Sequence, residues 1–224
     1  MKSPVFLASA LLLGSALHAS DDSESGPRAS NPGRQHALGA LEGLVLLDGG
    51  PLSEWDSVTN AIIYLVGDAL DSATALPDAR QAPVLEQRDF TFLPHVLALT
   101  AGTELTISNR DTVTHNIHTY TKGRRRRTAF NRAQNANTTM TATFSRPDSV
   151  LVLCDIHSYM EAHILVLPNP FFTKPAEDGA YIITGIPPGT YELVAWHKYY
   201  AARREVEVVS GETTRADIDL AADP

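Results

Sequence analysis

Val150-Leu-Val-Leu-Cys154-Asp-Ile-His157-Ser-Tyr-Met160 joins a short apolar run to a loop that carries a thiol, an imidazole and a thioether. The run has the length and composition of a β-strand, and its unbroken apolar character predicts a strand buried on both faces. The loop spacing, Cys-x-x-His-x-x-Met, presents three donors of graded softness within one turn of chain.

Sulfur donors select copper among first-row metals, and one Cys with two His and a long, weak axial Met describes an electron-transfer copper site. The loop lacks only the second His. Asn109-Arg-Asp111-Thr-Val-Thr-His115-Asn116 supplies one after a run that alternates apolar and polar residues. The candidate ligands are therefore His115, Cys154, His157 and Met160, enough for one type 1 copper. Cys154 is the only cysteine, so no internal disulfide can form. A solitary thiol in an exported chain is either an inert buried group or a protected ligand, and His157 and Met160 at short spacing favour the ligand.

Together these two segments resemble the cupredoxins, the plastocyanin- and amicyanin-like blue copper proteins, in which a strand end supplies His-Asn and a later strand supplies Cys, His and Met. From Ala40 to Leu220 the chain is similar to bacterial exported proteins of methylamine-utilisation or plastocyanin-like type, where a cupredoxin is joined to a carboxypeptidase-regulatory-like module. The resemblance implies an all-β fold: a Greek-key cupredoxin sandwich with a second, transthyretin-like sandwich. It also implies that Asn116 ties the two ligand-bearing segments together by side-chain hydrogen bonds, which would fix ligand orientation.

The rest of the chain divides around that centre. Residues 1-19 read as an export signal: Lys2, an apolar run from Val5 to Leu17, and a small residue, Ala19, at the cleavage point. That run is too short to span a bilayer, and a periplasmic address is expected with no membrane span. Residues 20-38, rich in Ser, Asp, Gly, Pro and Asn, predict a flexible tether. Within 39-81, strands are expected at Leu41–Leu47 and Ala61–Val66 around the turn Asp48-Gly-Gly-Pro51, with loop from 67 to 82.

The segment 82-168 is assigned to the cupredoxin. Phe90 with Phe92, Leu97 with Leu99, Leu105 with Ile107, and Met140 with Ala142 and Phe144 each mark one face of a strand, and Ile164–Leu167 closes the set. In 169-222, Asp178-Gly179 and Pro187-Pro-Gly189 are turns between strands marked by Tyr181 and Ile183, by Tyr191, Leu193 and Ala195, by Val206 and Val208, and by Ile218 and Leu220. Either 39-81 and 169-222 are two halves of one discontinuous sandwich with the cupredoxin inserted between them, or the N-terminal strands belong to the cupredoxin.

Other histidines are weaker candidates. His118, three residues after His115, falls on the opposite strand face, and His95, His163 and His197 read as structural or packing residues. Trp196, Tyr199 and Tyr200 form either core packing or an aromatic platform for sugar. Net charge is −8, which disfavours nucleic acid as a partner. Lys122-Gly-Arg-Arg-Arg-Arg127 nevertheless places five positive charges in six residues. The run is either a solvated loop or a steering patch for an acidic redox partner. The expected function is a periplasmic one-electron carrier rather than an enzyme, since no further His cluster for additional coppers has suitable spacing. Copper delivery without electron transfer, and a metal-free cell-surface binding module, are the alternatives.

Overall fold

The computed structural model describes residues 37–47, 57–71, 82–121 and 127–220. The stretches expected to be an export signal, nearly all of the tether and the Asp48–Pro51 turn, together with residues 122–126, lie outside them. Strands β1 (Gly39–Leu47) and β2 (Ile62–Val66) come first, followed by a four-residue helix, α1 (Asp68–Asp71), where loop is expected from the sequence. Its Leu70 is fully buried, which explains why a turn of helix persists there.

Nine strands then form one sandwich: β3 (Val84–Arg88), β4 (Thr91–Leu93), β5 (Val96–Thr100), β6 (Glu104–Asn109), β7 (His115–Thr121), β8 (Arg127–Gln134), β9 (Thr139–Thr143), β10 (Asp148–Leu153) and β11 (Glu161–Leu167). Six more follow: β12 (Phe172–Thr173), β13 (Ala180–Ile186), β14 (Gly189–Trp196), β15 (Ala201–Val208), β16 (Thr213–Arg215) and β17 (Ile218–Leu220). The chain is all-β, as its period-two patterning predicts.

In the first sandwich a sheet ordered β4-β3-β6-β9 faces one ordered β5-β11-β10-β7-β8. Leu85, Phe92, Leu105, Ile107, Ile117, Val150, Val152 and Ile164 fill the space between them. In the second, β1 pairs with β13, β16 and β17, and β2 pairs with β12 and β14. Among the described residues, all the strand partners of β1 and β2 therefore follow Pro170. Leu41, Val45, Ile63, Leu65, Tyr181, Ile183, Leu193 and Val206 belong to the core of this second sandwich.

A third apolar cluster joins the sandwiches back to back. Val96, Leu165 and Leu167 meet Ile62, with Tyr64, Phe172 and Trp196 packed against them. This contact corrects the expectation for β10. Val150 and Val152 are buried, but Leu151 and Leu153 are only half-buried, so the run is covered on one face. The strand buried on both faces is β11, whose Ile164 and Val166 enter the first core while Leu165 and Leu167 enter the joint. The second sandwich covers β5 and β11, and β10 lies one strand beyond them.

Phe90 also departs from the sequence reading. Instead of sharing a strand face with Phe92, it occupies the turn between β3 and β4, where Asp89 and Phe90 both adopt positive φ, 52° and 59°. Phe92 is fully buried, whereas Phe90 is partly exposed and is delivered to the candidate site.

Candidate metal centre

The site forms where β7 begins and β10 ends. These strands are antiparallel neighbours with Leu153 opposite His118, so the chain leaving Cys154 runs past Asn116 toward His115. The loop closes on itself: the Cys154 amide donates to the Met160 carbonyl at 3.3 Å, and the Met160 amide donates to the His157 carbonyl at 3.0 Å. These bonds turn residues 154–160 back on themselves and bury Met160 in the same apolar cluster as Cys154.

Donor atoms of His115, Cys154 and His157 lie within 4.8 Å of one another. Nδ1 of His115 and Nδ1 of His157 are 2.9 Å apart, and the Cys154 Sγ is 3.8 Å from the latter nitrogen. Two imidazole nitrogens and a thiol facing one point suit a borderline or soft cation. The nitrogen separation is within a few tenths of an ångström of what two ~2.0 Å nitrogen–metal bonds at a tetrahedral angle require. His115 is fully buried, His157 is half-buried, and Phe90 packs edge-on against both rings at centroid distances of 5.6 and 5.0 Å.

Asp111, which sequence reasoning leaves without a role, organises this corner. Its carboxylate accepts from Nε2 of His115 at 2.7 Å, and from the amides of Asp89 and Phe90 at 2.7 and 3.0 Å. A carboxylate only accepts here, so the His115 proton is held on Nε2 and its Nδ1 lone pair is turned into the site, the arrangement that orients metal-binding imidazoles. The same carboxylate pins the positive-φ turn that presents Phe90. Burial raises the Asp111 pKa, but donation from Phe90, His115 and Asp89 outweighs it and leaves the group below its ordinary value. A depressed carboxyl pKa means that the folded chain binds fewer protons than the unfolded chain. This contribution to stability is therefore complete above the unfolded value of ~3.9 and is lost as pH falls through the lower folded value.

The signal for Asp111 is Asn109-x-Asp111, an Asx-turn pattern. Oδ1 of Asn109 accepts from the Asp111 amide at 2.9 Å, while its Nδ2 donates to the carbonyls of Val113 and Gln134 at 2.9 and 3.1 Å. Asp111→Ala should lower the affinity of this donor group for a metal ion roughly 10- to 100-fold, the usual consequence of removing an orienting carboxylate. Competition with a chromophoric chelator measures this, and Asp111→Asn, which keeps an acceptor, should lose less.

Asn116 bridges the ligand-bearing segments. Its Oδ1 accepts from the Asp155 amide at 2.5 Å, and its Nδ2 donates to Asn131 and to the Asp155 carboxylate at 2.7 and 3.1 Å. His118 lies outside the donor group and hydrogen-bonds to the Asp155 carboxylate and to Thr128. Donation from His118, Asn131 and Asn116 holds the Asp155 carboxyl below its usual range.

The remaining histidines are placed by packing, with one surprise. His197 is buried and stacks on Tyr200 at 5.5 Å. Trp196 belongs to the joint between the sandwiches and Tyr200 packs against the second core, while Tyr199 is exposed; the three do not form one platform. His95 and His163 are buried, as packing residues would be, but the fold brings them together beside Glu161. Their sequence separation conceals this meeting.

No family model matches the chain, and no curated protein does. Among solved structures, a purple cupredoxin from Nitrosopumilus maritimus is 19% identical over 38% of this chain and 99% of its own, with a TM-score of 0.35. An oxidised amicyanin variant is 19% identical over 38% of this chain and 82% of its own, with a TM-score of 0.34. A copper-containing nitrite reductase from Thermus scotoductus is 20% identical over 46% of this chain and 27% of its own, with a TM-score of 0.35.

Proposed function

We propose that the chain is an exported one-electron carrier of cupredoxin type, not itself an enzyme, that holds one copper ion between His115, Cys154, His157 and Met160. The observation that carries this reading is the convergence of the two Nδ1 atoms and the solitary thiol at one end of a packed sandwich. Copper bound to such a set changes its oxidation state by one electron.

The protein's contribution is to keep the donors still. β10 fixes the sulfur, the Asp111 carboxylate fixes the His115 ring, and Asn116 fixes the 154–160 loop against β7. Donors that hardly move between oxidation states keep the structural cost of each transfer low. His115, Cys154 and Met160 are all buried, which keeps water from these side chains. Ile156 and Tyr159, on the same loop as His157, are 54% and 70% exposed, and Phe90 and Val113 extend the apolar rim. Such a rim suits transient contact with a redox partner near His157, and the Lys122–Arg127 run would favour an acidic one.

Residues 39-81 and 169-222 are read as one discontinuous carboxypeptidase-regulatory-like module around an inserted 82-168 domain. The pairing of β1 and β2 with strands beyond Pro170 supports this division. Residues 1-19 are read as the signal that sends the chain to the periplasm. Cyclic voltammetry of the copper-titrated protein is the test: the reading requires a reversible one-electron wave with fast self-exchange. Tight copper binding without such a wave would assign the protein to delivery or storage instead.

A further inference from the structure

A second group of donors lies beside the first. His95 stands in the turn between β4 and β5, Glu161 and His163 lie two residues apart on β11, and Lys198 reaches in from the β14–β15 connection of the other sandwich. The period of a strand puts Glu161 and His163 on one face. Parallel pairing of β11 with β5 sets His163 opposite Val96, and the His163 amide donates to the His95 carbonyl at 2.8 Å. A nitrogen from each ring and a Glu161 carboxylate oxygen all lie within 4.8 Å of one another. His95 is 8% and His163 2% exposed, so both rings are held by their surroundings.

Three contacts bear on what this group can bind. Nδ1 of His95 meets the backbone carbonyl of Glu161 at 3.0 Å. A carbonyl only accepts, so the proton is on Nδ1 and the lone pair on Nε2, the tautomer found when a backbone carbonyl orients a metal-binding imidazole. Nε2 of His163 lies 2.9 Å from Oε1 of Glu161 and, because a carboxylate only accepts, carries the ring proton, so an ion bound between these two atoms takes the place of that proton. The same oxygen is 2.6 Å from the Lys198 ammonium, so this carboxylate already pairs with a cation. A cleft of about 380 Å³, with Thr91, Phe90, Met160 and Tyr159 also on its wall, opens onto His95, Glu161 and Lys198 but not onto His163.

We propose that His95, Glu161 and His163 form a second metal site, for a divalent cation of borderline softness such as zinc, and that the ion displaces the Lys198 ammonium from Glu161. Two imidazoles and a carboxylate are a three-ligand set that zinc accepts, with a fourth position open to water. Thiolate is absent from the set, which separates it chemically from the group around Cys154. Lys198 is a tie between the two sandwiches, so the ion and this tie compete for one carboxylate.

The test uses the full chain carrying Cys154→Ala and His157→Ala, which removes two donors of the first group and makes the result independent of the copper reading. Zinc is titrated against a chromophoric chelator. One zinc equivalent is expected that His163→Ala abolishes and that His95→Asn, which keeps a donor for the Glu161 carbonyl, weakens at least tenfold. Lys198→Met removes the competing cation, together with its contact to the Tyr199 ring, and should tighten binding at least tenfold. If His163→Ala does not fold, the His95→Asn and Lys198→Met variants decide. Zinc affinity unchanged in both of those variants overturns the site.

Discussion

Cys154→Ser leaves the copper-titrated protein without visible colour. The expected colour is thiolate-to-copper(II) charge transfer, and no other thiol in the chain could replace the lost sulfur. Oxygen is smaller and harder, so the hydroxyl keeps the shape of the loop while removing the soft donor. The bonds that close the loop, from the Cys154 amide to Met160 and from the Met160 amide to His157, are made by backbone and survive the change. Far-ultraviolet circular dichroism should therefore match the parent. Met160→Leu provides the contrast, because the thioether is assigned the weak position: copper and colour are kept and the reduction potential shifts. A coloured Ser variant, or complete loss of metal from the Leu variant, contradicts the proposed ligand roles.

Gly43→Ala has the largest expected effect on stability, and it acts far from the donors. β1 runs alongside β16 as far as Glu42 and alongside β17 from Val45 onward. Between the two registers Ala216 and Asp217 cross over Gly43. The Ala216 amide donates to the Glu42 carbonyl at 2.8 Å, and the Leu44 amide donates to the Asp217 carboxylate at 2.9 Å. A Cβ on residue 43 would lie 2.1 Å from the Ala216 carbonyl oxygen and 2.6 Å from its carbon. Those are backbone atoms held by the bonds just named, so no side chain can swing aside, and the substitution should cost about 3 kcal/mol, the upper part of the overpacking range. In a chain of this size each kcal/mol lowers Tm by roughly 2–4 °C. Gly67→Ala is the comparison: its Cβ would meet a ring carbon of Tyr191 at 2.8 Å and not a backbone atom, and its Tm should fall less. Equal losses in the two variants would remove the crossing as the cause.

The difference between these two experiments reflects what is local in the chain and what is not. Strand character at Leu105 with Ile107, or at Tyr181 with Ile183, is legible because alternation follows from the pleat of a single strand. The closeness of Cys154, His157 and Met160 is legible for a related reason: they share seven residues of chain, and their spacing keeps them near one another wherever the loop lies. The turn at Phe90 is hidden in the sequence because alternation extends across a tight turn as easily as along a strand, and only the positive φ values at Asp89 and Phe90 separate the two.

By itself, then, the sequence determined the all-β class and the closeness of Cys154 to His157 in one short loop, both set by neighbours along the chain. The tertiary structure alone decided that Asp111 holds the His115 ring, that β11 rather than β10 is buried on both faces, and that His95, Glu161 and His163 meet beneath Lys198. Each of those depends on which distant strand or which sandwich covers a given face, and strand register and sheet packing are long-range choices that no local pattern encodes.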